Sequence, residues 1–250
     1  MAIAIISDIH ANLEALQAVL ADIEDQGIQE IVCLGDIIGY GPKPVECLEL
    51  MDRCGFCLLG NHEEAVLFGA VGFNSRAKMA IDWTRDQLNR ANGDPEKKKA
   101  LWNFLGELQI RVDDGEISYV HGSPREPTRE YIFQRDILDQ PKMEEIFANF
   151  DHICFNGHTH TPGILTDQYQ FISPKDCDYE YTIEKGIKSL INVGSVGQPR
   201  DGDNRGCYVI FDGKKVIYRR VEYNVEATVE EIAKIKELPE YLGLRLREGK

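Results

Sequence analysis

A chain of 250 residues and 28.3 kDa can bury a sizeable core, as one large α/β domain or two small ones, and 43% hydrophobic with 28% charged residues excludes a disordered class. The balance of 28 basic against 42 acidic side chains gives a net charge of −14 and a pI near 4.9, which disfavours long nucleic acids as partners. A small anionic substrate remains compatible with that charge if the site carries its own cations, and bound metal ions supply them most compactly.

The first apolar run, AIAII at 2–6, is too short for a signal peptide and lacks a basic flank. No run approaches the length needed to cross a bilayer, so the expectation is a soluble, cytoplasmic protein without membrane association. From Asn12 to Gln26 the spacing predicts a helix, with Leu13, Leu16, Val19, Leu20 and Ile23 on one face, Asn12 as its cap and Gly27 as its stop. EIVCL (30–34) reads as a second strand, PVECLELMDRCG as a second, shorter helix, and FCLL (56–59) as a third strand. This β-α-β-α-β start implies a parallel sheet with right-handed crossovers.

Two helices are expected over 75–88 and 95–108, forming a helical insert at about 74–108 with a turn at NGDP. EISYV (116–120), HICF (152–155) and SLIN (189–192) continue the buried-strand pattern. Beyond about residue 160, GILTD, YQFIS, YTIEK, GCYVIFDG and KKVIYRRVEY read as shorter strands, with Asp212-Gly213 turning a hairpin. A closing amphipathic helix is expected at about 228–238, followed by a frayed tail, LREGK. With no repeat and no linker, residues 1–250 read as a single domain.

Seven cysteines are scattered along the chain, three of them (Cys33, Cys57 and Cys154) inside apolar runs. CGFC at 54–57 runs straight into a strand and has no second CxxC to complete a zinc cage, so reduced structural thiols are the simpler reading.

The chemistry lies at the ends of the strands. Ser7-Asp8-Ile9-His10 follows the first, Gly35-Asp36 the second, Gly60-Asn61-His62-Glu63 the third, His121-Gly122 the EISYV strand, and Asn156-Gly157-His158-Thr159-His160 the HICF strand. Five of the six histidines occur at such ends, and only His152 stands at a strand start. In open α/β sheets the ligand crevice lies beyond the carboxyl ends of the strands, so neighbouring strands would bring these side chains together. Mixed imidazole and carboxylate donors suit Mn, Fe, Zn, Co or Ni better than Mg or Ca, and the set exceeds the four ligands of one zinc ion. Two metals sharing a carboxylate, roughly 3.5–4 Å apart, would use the full set.

The ordered blocks SDIH, GD, GNHE, H and GHTH, spanning residues 7–160, resemble the signature of the calcineurin-like metallophosphoesterases. DIHANLEAL, GDIIGYGPKP and INVGSVGQPRDGD are most similar to a bacterial branch containing phosphodiesterases and diadenosine-polyphosphate hydrolases. The resemblance implies a two-sheet α/β/β/α sandwich and two divalent transition-metal ions, with Mn suited to reconstitution. It implies Asp8, His10 and His160 on one metal, Asn61, His121 and His158 on the other, and Asp36 bridging both. It makes His62 the catalytic histidine that meets the transition state and protonates the leaving oxygen. The implied reaction is in-line attack of a metal-bridging hydroxide on a phosphate ester: a phosphodiester, a dinucleoside polyphosphate or a phosphomonoester.

The third block departs from the common GNHD in having Glu63, whose longer reach bears on how His62 is held. GSVGQPRDGDNRG (194–206) could bring Ser195 or Arg200 to a substrate phosphate, Arg200 being the candidate substrate-binding residue. Arg125 and Arg129 read as solvated charges. A small phosphorylated substrate is the expected partner, and a homo-oligomer is compatible with the sequence. The alternatives are a non-catalytic metal-binding scaffold on the same fold and a phosphoprotein phosphatase. A metallo-β-lactamase-type site would need an H-x-H-x-D-H block, which is absent.

Overall fold

The structure, a computed structural model, describes residues 2–250. The first part of the chain holds β1 (Ile3–Ile6), α1 (Leu13–Asp25), β2 (Glu30–Cys33), α2 (Pro44–Glu49), β3 (Phe56–Cys57), α3 (Asn61–Phe68), α4 (Ser75–Arg90) and α5 (Pro95–Glu107). The middle holds β4 (Arg111–Asp114), β5 (Ile117–Val120), α6 (Gln140–Ala148), β6 (Ile153–Asn156), β7 (Gly163–Thr166) and β8 (Phe171–Ile172). The remainder holds β9 (Glu180–Thr182), β10 (Ser189–Asn192), β11 (Gly206–Phe211), β12 (Lys215–Val221), α7 (Val225–Lys234) and α8 (Tyr241–Leu244).

Two six-stranded mixed sheets form, in the orders β3-β2-β1-β11-β12-β9 and β4-β5-β6-β10-β7-β8. β1, β2 and β3 run parallel, as the opening β-α-β-α-β pattern predicts, and so do β5, β6 and β10. β1 is closed on its other side by β11, antiparallel, with Ile5 opposite Val209.

Strand alternation sorts the core into layers. Ile5, Val32, Val209, Phe155 and Ile191 point between the sheets, whereas Ala4, Ile6, Ile31 and Tyr208 pack outward with Leu16, Val19 and Leu20 of α1. On the far sheet Cys154, Leu165 and Leu190 face Met143, Ile146 and Phe147 of α6. The result is the α/β/β/α sandwich. Helices α4 and α5 pack against α2 and α3, and bury Ile81, Leu88, Leu101 and Leu105 in the same core as α1.

Three elements carry no strong sequence signal. α3 begins at Asn61, inside what reads as a site loop; β4 is a polar strand defined by its pairing with β5; and α6 follows Asp139, whose side chain caps Lys142 N–H at 3.2 Å. The closing helix lies at 225–234 rather than 228–238. Asn224 caps it three residues earlier by accepting from Ala227 N–H, and Ile235 turns to extended backbone ahead of Pro239. The tail is not frayed: Leu246 is buried with Val229 and Ile232, and Gly202 N–H donates to Gly249 O at 3.0 Å. No helix among the described residues is long and apolar enough to cross a membrane. All seven cysteines are free thiols, and Cys33 faces Cys57 in the β2–β3 register.

Candidate metal centre

The sequence-predicted residues converge beyond the carboxyl ends of parallel strands from both sheets. Asp8 and His10 follow β1, Asp36 follows β2, Asn61 and His62 open α3 after β3, His121 follows β5, and His158 and His160 follow β6. Asp8, His10, Asp36, Asn61, His62, His121, His158 and His160 are all buried. Each strand must turn sharply to aim its side chain back over the sheet edge. Asp8, His10, Asp36, His158 and His160 accordingly take left-handed backbone, with φ from 49° to 66°. Non-glycine residues hold that conformation only where their surroundings impose it, which is a feature of functional sites.

Two groups result. Donor atoms of Asp8, His10, Asp36 and His160 lie within 4.8 Å of one another, as do those of Asp36, His121 and His158. Asp36 belongs to both: its Oδ2 is 3.7 Å from His10 Nε2 and 3.4 Å from His121 Nε2. Asn61 Oδ1 joins the second group, 3.2 Å from His121 Nε2.

Backbone carbonyls fix the imidazoles. Nδ1 of His10, His121 and His160 faces the carbonyls of Ile38 (3.2 Å), Leu34 (3.0 Å) and Gln198 (2.6 Å), and Nε2 of His158 faces that of Arg129 (3.1 Å). A carbonyl only accepts, so these nitrogens carry the protons and the opposite nitrogens turn lone pairs inward. His10 Nε2 and His160 Nε2 then face each other at 3.1 Å, and so do His121 Nε2 and His158 Nδ1. Asp8 Oδ1 has no hydrogen-bond partner, although it is buried. A cluster of acceptors with no donor between them needs cations, so the residues fit divalent metal ions.

The electrostatics agree. Burial alone would raise the carboxyls of Asp8 and Asp36, but the imidazoles outweigh it, His160 foremost for Asp8 and His121 for Asp36, and both stay below the usual carboxylate range. Burial lowers His10 and His160 and takes His158 down to about 3 and His62 to about 4. His121 is the exception: burial is overcome by Asp36, which lifts it to about 9, so that with no metal a proton on its Nε2 stands where the Asp36 carboxylate calls for a cation.

His62 stands beside both groups, its Nε2 4.0 Å from Asp36 Oδ2, and its ring rests against Tyr40 (4.4 Å) and Phe73 (5.2 Å). Its Nδ1 has no partner. A cleft of about 300 Å³ opens beside it, walled by Tyr40, Phe73, Arg129 and Tyr131, with the Tyr131 ring stacked on His158 at 3.7 Å. Glu63 does not orient His62. It accepts instead from the backbone N–H groups of Asp36 (2.8 Å), Ile38 (3.1 Å) and Gly60 (3.0 Å), and so clamps the turn that presents Asp36.

The 194–206 loop walls the site, with Gln198 O against His160 Nδ1. Ser195, however, donates to Asp8 O at 2.8 Å and accepts from Gln198 N–H, which makes it a support for Asp8 and not a substrate contact. Arg200 is tied to His160 O through its backbone N–H and to Gln198 Oε1 at 2.7 Å. Arg125 pairs with Glu130 and Glu145 away from the metal ligands, and Arg129 with Glu64. Asn12 caps α1 through Ala15 N–H and also donates to Gly197 O at 2.8 Å. Asn192, a residue the strand pattern alone does not single out, donates to Gly157 O (2.6 Å) and Thr159 Oγ1 (2.9 Å), pinning the histidine turn.

The chain is similar to known proteins along its whole length. An uncharacterized protein of Methanocaldococcus jannaschii is 38% identical over 262 residues, covering 99% of this chain and 98% of that protein. The crystal structure of a metallophosphoesterase from Sphaerobacter thermophilus is 36% identical, with a TM-score of 0.81 and 100% of both chains covered. A hypothetical protein of Pyrococcus horikoshii OT3 shares the fold at 20% identity, with a TM-score of 0.78 over 100% of this chain and 98% of that one. The model of the calcineurin-like phosphoesterase superfamily domain matches residues 1–215, a span containing all five strand-end blocks. On that match, with the sandwich and the convergent Asp and His groups, the chain belongs to the calcineurin-like phosphoesterase superfamily.

Proposed function

We propose that the chain acts as one unit that hydrolyses a phosphate ester of a small molecule with two divalent metal ions, a phosphodiester or dinucleoside polyphosphate foremost. Asp8, His10 and His160 would hold one ion, Asn61, His121 and His158 the other, and Asp36 both. The observation that carries this reading is Asp36 Oδ2, common to the two donor groups. When bound, two such ions supply Lewis acidity to phosphoryl oxygens and acidify water at neutral pH.

The chain's own residues do the rest. The carbonyls of Ile38, Leu34, Gln198 and Arg129 hold each imidazole in its liganding tautomer. Burial keeps His62 neutral at pH 7, so it first meets the substrate as an N–H donor. An anionic phosphate beside it favours the protonated form, which can then pass its proton to the leaving oxygen. Arg200 offers a guanidinium to a substrate oxygen.

The test is metal content together with hydrolysis of bis(4-nitrophenyl) phosphate, phosphomonoesters and dinucleoside polyphosphates after Mn²⁺ loading. His62→Ala should retain metal and lose about 10²–10⁴-fold in turnover, whereas Asp36→Ala should lose metal as well. Equal metal content and equal activity in the two variants would sink the assignment, and a metal-loaded wild type inert on the whole panel would favour a scaffold.

A further inference from the structure

Beside the catalytic cleft lies a second pocket of about 400 Å³, entered between the opening turn of α4 and the C-terminal segment. The two cavities share Tyr40, Asn74 and Ala77 as walls, and Tyr40 also touches His10 (4.8 Å) and His62 (4.4 Å). Two arginines line the second pocket. The guanidiniums of Arg76 and Arg245 both lie over the ring of Tyr241, at 5.0 and 5.5 Å.

Neither pairs with an aspartate or glutamate side chain. In a chain of net charge −14, neighbouring arginines such as Arg129, Arg220 and Arg247 are ion-paired. Among the described residues no aspartate or glutamate lies within ion-pairing distance of Arg76, Arg200 or Arg245. Arg245 Nε donates to the terminal carboxyl group on Lys250, and Arg200 Nε is buried with no partner. Burial, and the charge of Arg200 nearby, hold Arg245 below the ordinary arginine range. The α4 turn adds little by itself, since Asn74 Oδ1 already caps Ala77 N–H at 3.0 Å.

We propose that Arg76 and Arg245 bind a second anionic group of the substrate, a phosphate or polyphosphate extension beyond the phosphorus attacked at the metal centre. This rests on the phosphoesterase reading above. It makes the C-terminal segment part of the substrate site and selects substrates carrying charge on both sides of Tyr40. Planar guanidinium forks match phosphate oxygens, and one dianion can bridge the two.

Two measurements separate this from the catalytic reading. First, pyrophosphate is titrated calorimetrically into metal-free protein in EDTA. The wild type should bind, and Arg76→Gln/Arg245→Gln at least tenfold more weakly with an unchanged Tm; equal binding overturns the site. Second, the Mn²⁺-loaded proteins are compared on a dinucleoside tetraphosphate and on bis(4-nitrophenyl) phosphate. The ratio of the two kcat/KM values should fall at least tenfold in the double variant. Loss of pyrophosphate binding with an unaltered ratio overturns the assignment to substrate, leaving a separate anion as the ligand.

Discussion

Among single residues, the side chains that cluster at the strand ends were the most legible part of the sequence, because imidazole, carboxylate and amide groups announce their chemistry and six histidines are few enough to place. What supports them was not legible, since backbone carbonyls such as Ile38 O and Gln198 O leave no mark on residue identity. Asn192 lies between these cases: a polar end to an apolar strand, whose side chain fixes the turn carrying His158 and His160. Asn192→Ala should keep all the metal-binding side chains and weaken Mn²⁺ affinity by about 10–100-fold, measured by metal titration. Unchanged affinity would show that the turn holds its shape without that amide.

Among the elements, α3 shows how a helix start can serve a site. Its first residue is Asn61, its second is His62, and its third, Glu63, reaches back to Gly60 N–H and across to the Asp36 turn. Removing that carboxylate orphans three buried backbone donors, so Glu63→Ala should cost about 3–5 kcal/mol. In a chain of this length that lowers Tm by at least about 6 °C, with Glu63→Gln intermediate. The sequence shows Glu63 only as a departure from a common aspartate, and its partners appear once β2 and β3 are brought side by side. Strands with continuous apolar runs were legible throughout. β4 was not, because its exposed Asp113 and Asp114 are held in place by β5 and not by their own preference.

Across the molecule, polar ties fasten the late segments to the site wall. Asp203 accepts from Arg205 N–H (3.1 Å) and from the Arg205 guanidinium (2.6 Å), and Arg220 lies 4.0 Å away. These partners, the Arg205 hydrogen bonds foremost, hold its carboxyl down to about 2, below the ~3.9 of an unfolded chain. A depressed folded pKa stabilises above the unfolded value and is lost as pH falls through the folded one. Asp203→Asn should therefore lower Tm by about 2–4 °C at pH 6, for roughly 1 kcal/mol, and the difference should vanish near pH 2. A constant difference across that window would assign the effect to packing. Metal acts on the same scale. Since both sheets supply ligands, saturating Mn²⁺ at about 100 times its Kd should add about 2.7 kcal/mol per site, read as a rise in Tm that Asp36→Ala removes.

The pairing of β1 with β11 has a consequence for how the chain is made. The partner of Ile5 is Val209, so the first strand emerges long before the one that closes its open side. At about 5–20 residues per second, roughly 10–40 s of synthesis separate the two. Throughout that interval the open edge of β1, the strand that leads into Asp8 and His10, lacks its β11 partner. Ser195 and Gln198, which brace Asp8 and His160, are also made late, so the first donor group takes its final shape only after most of the chain has been synthesised.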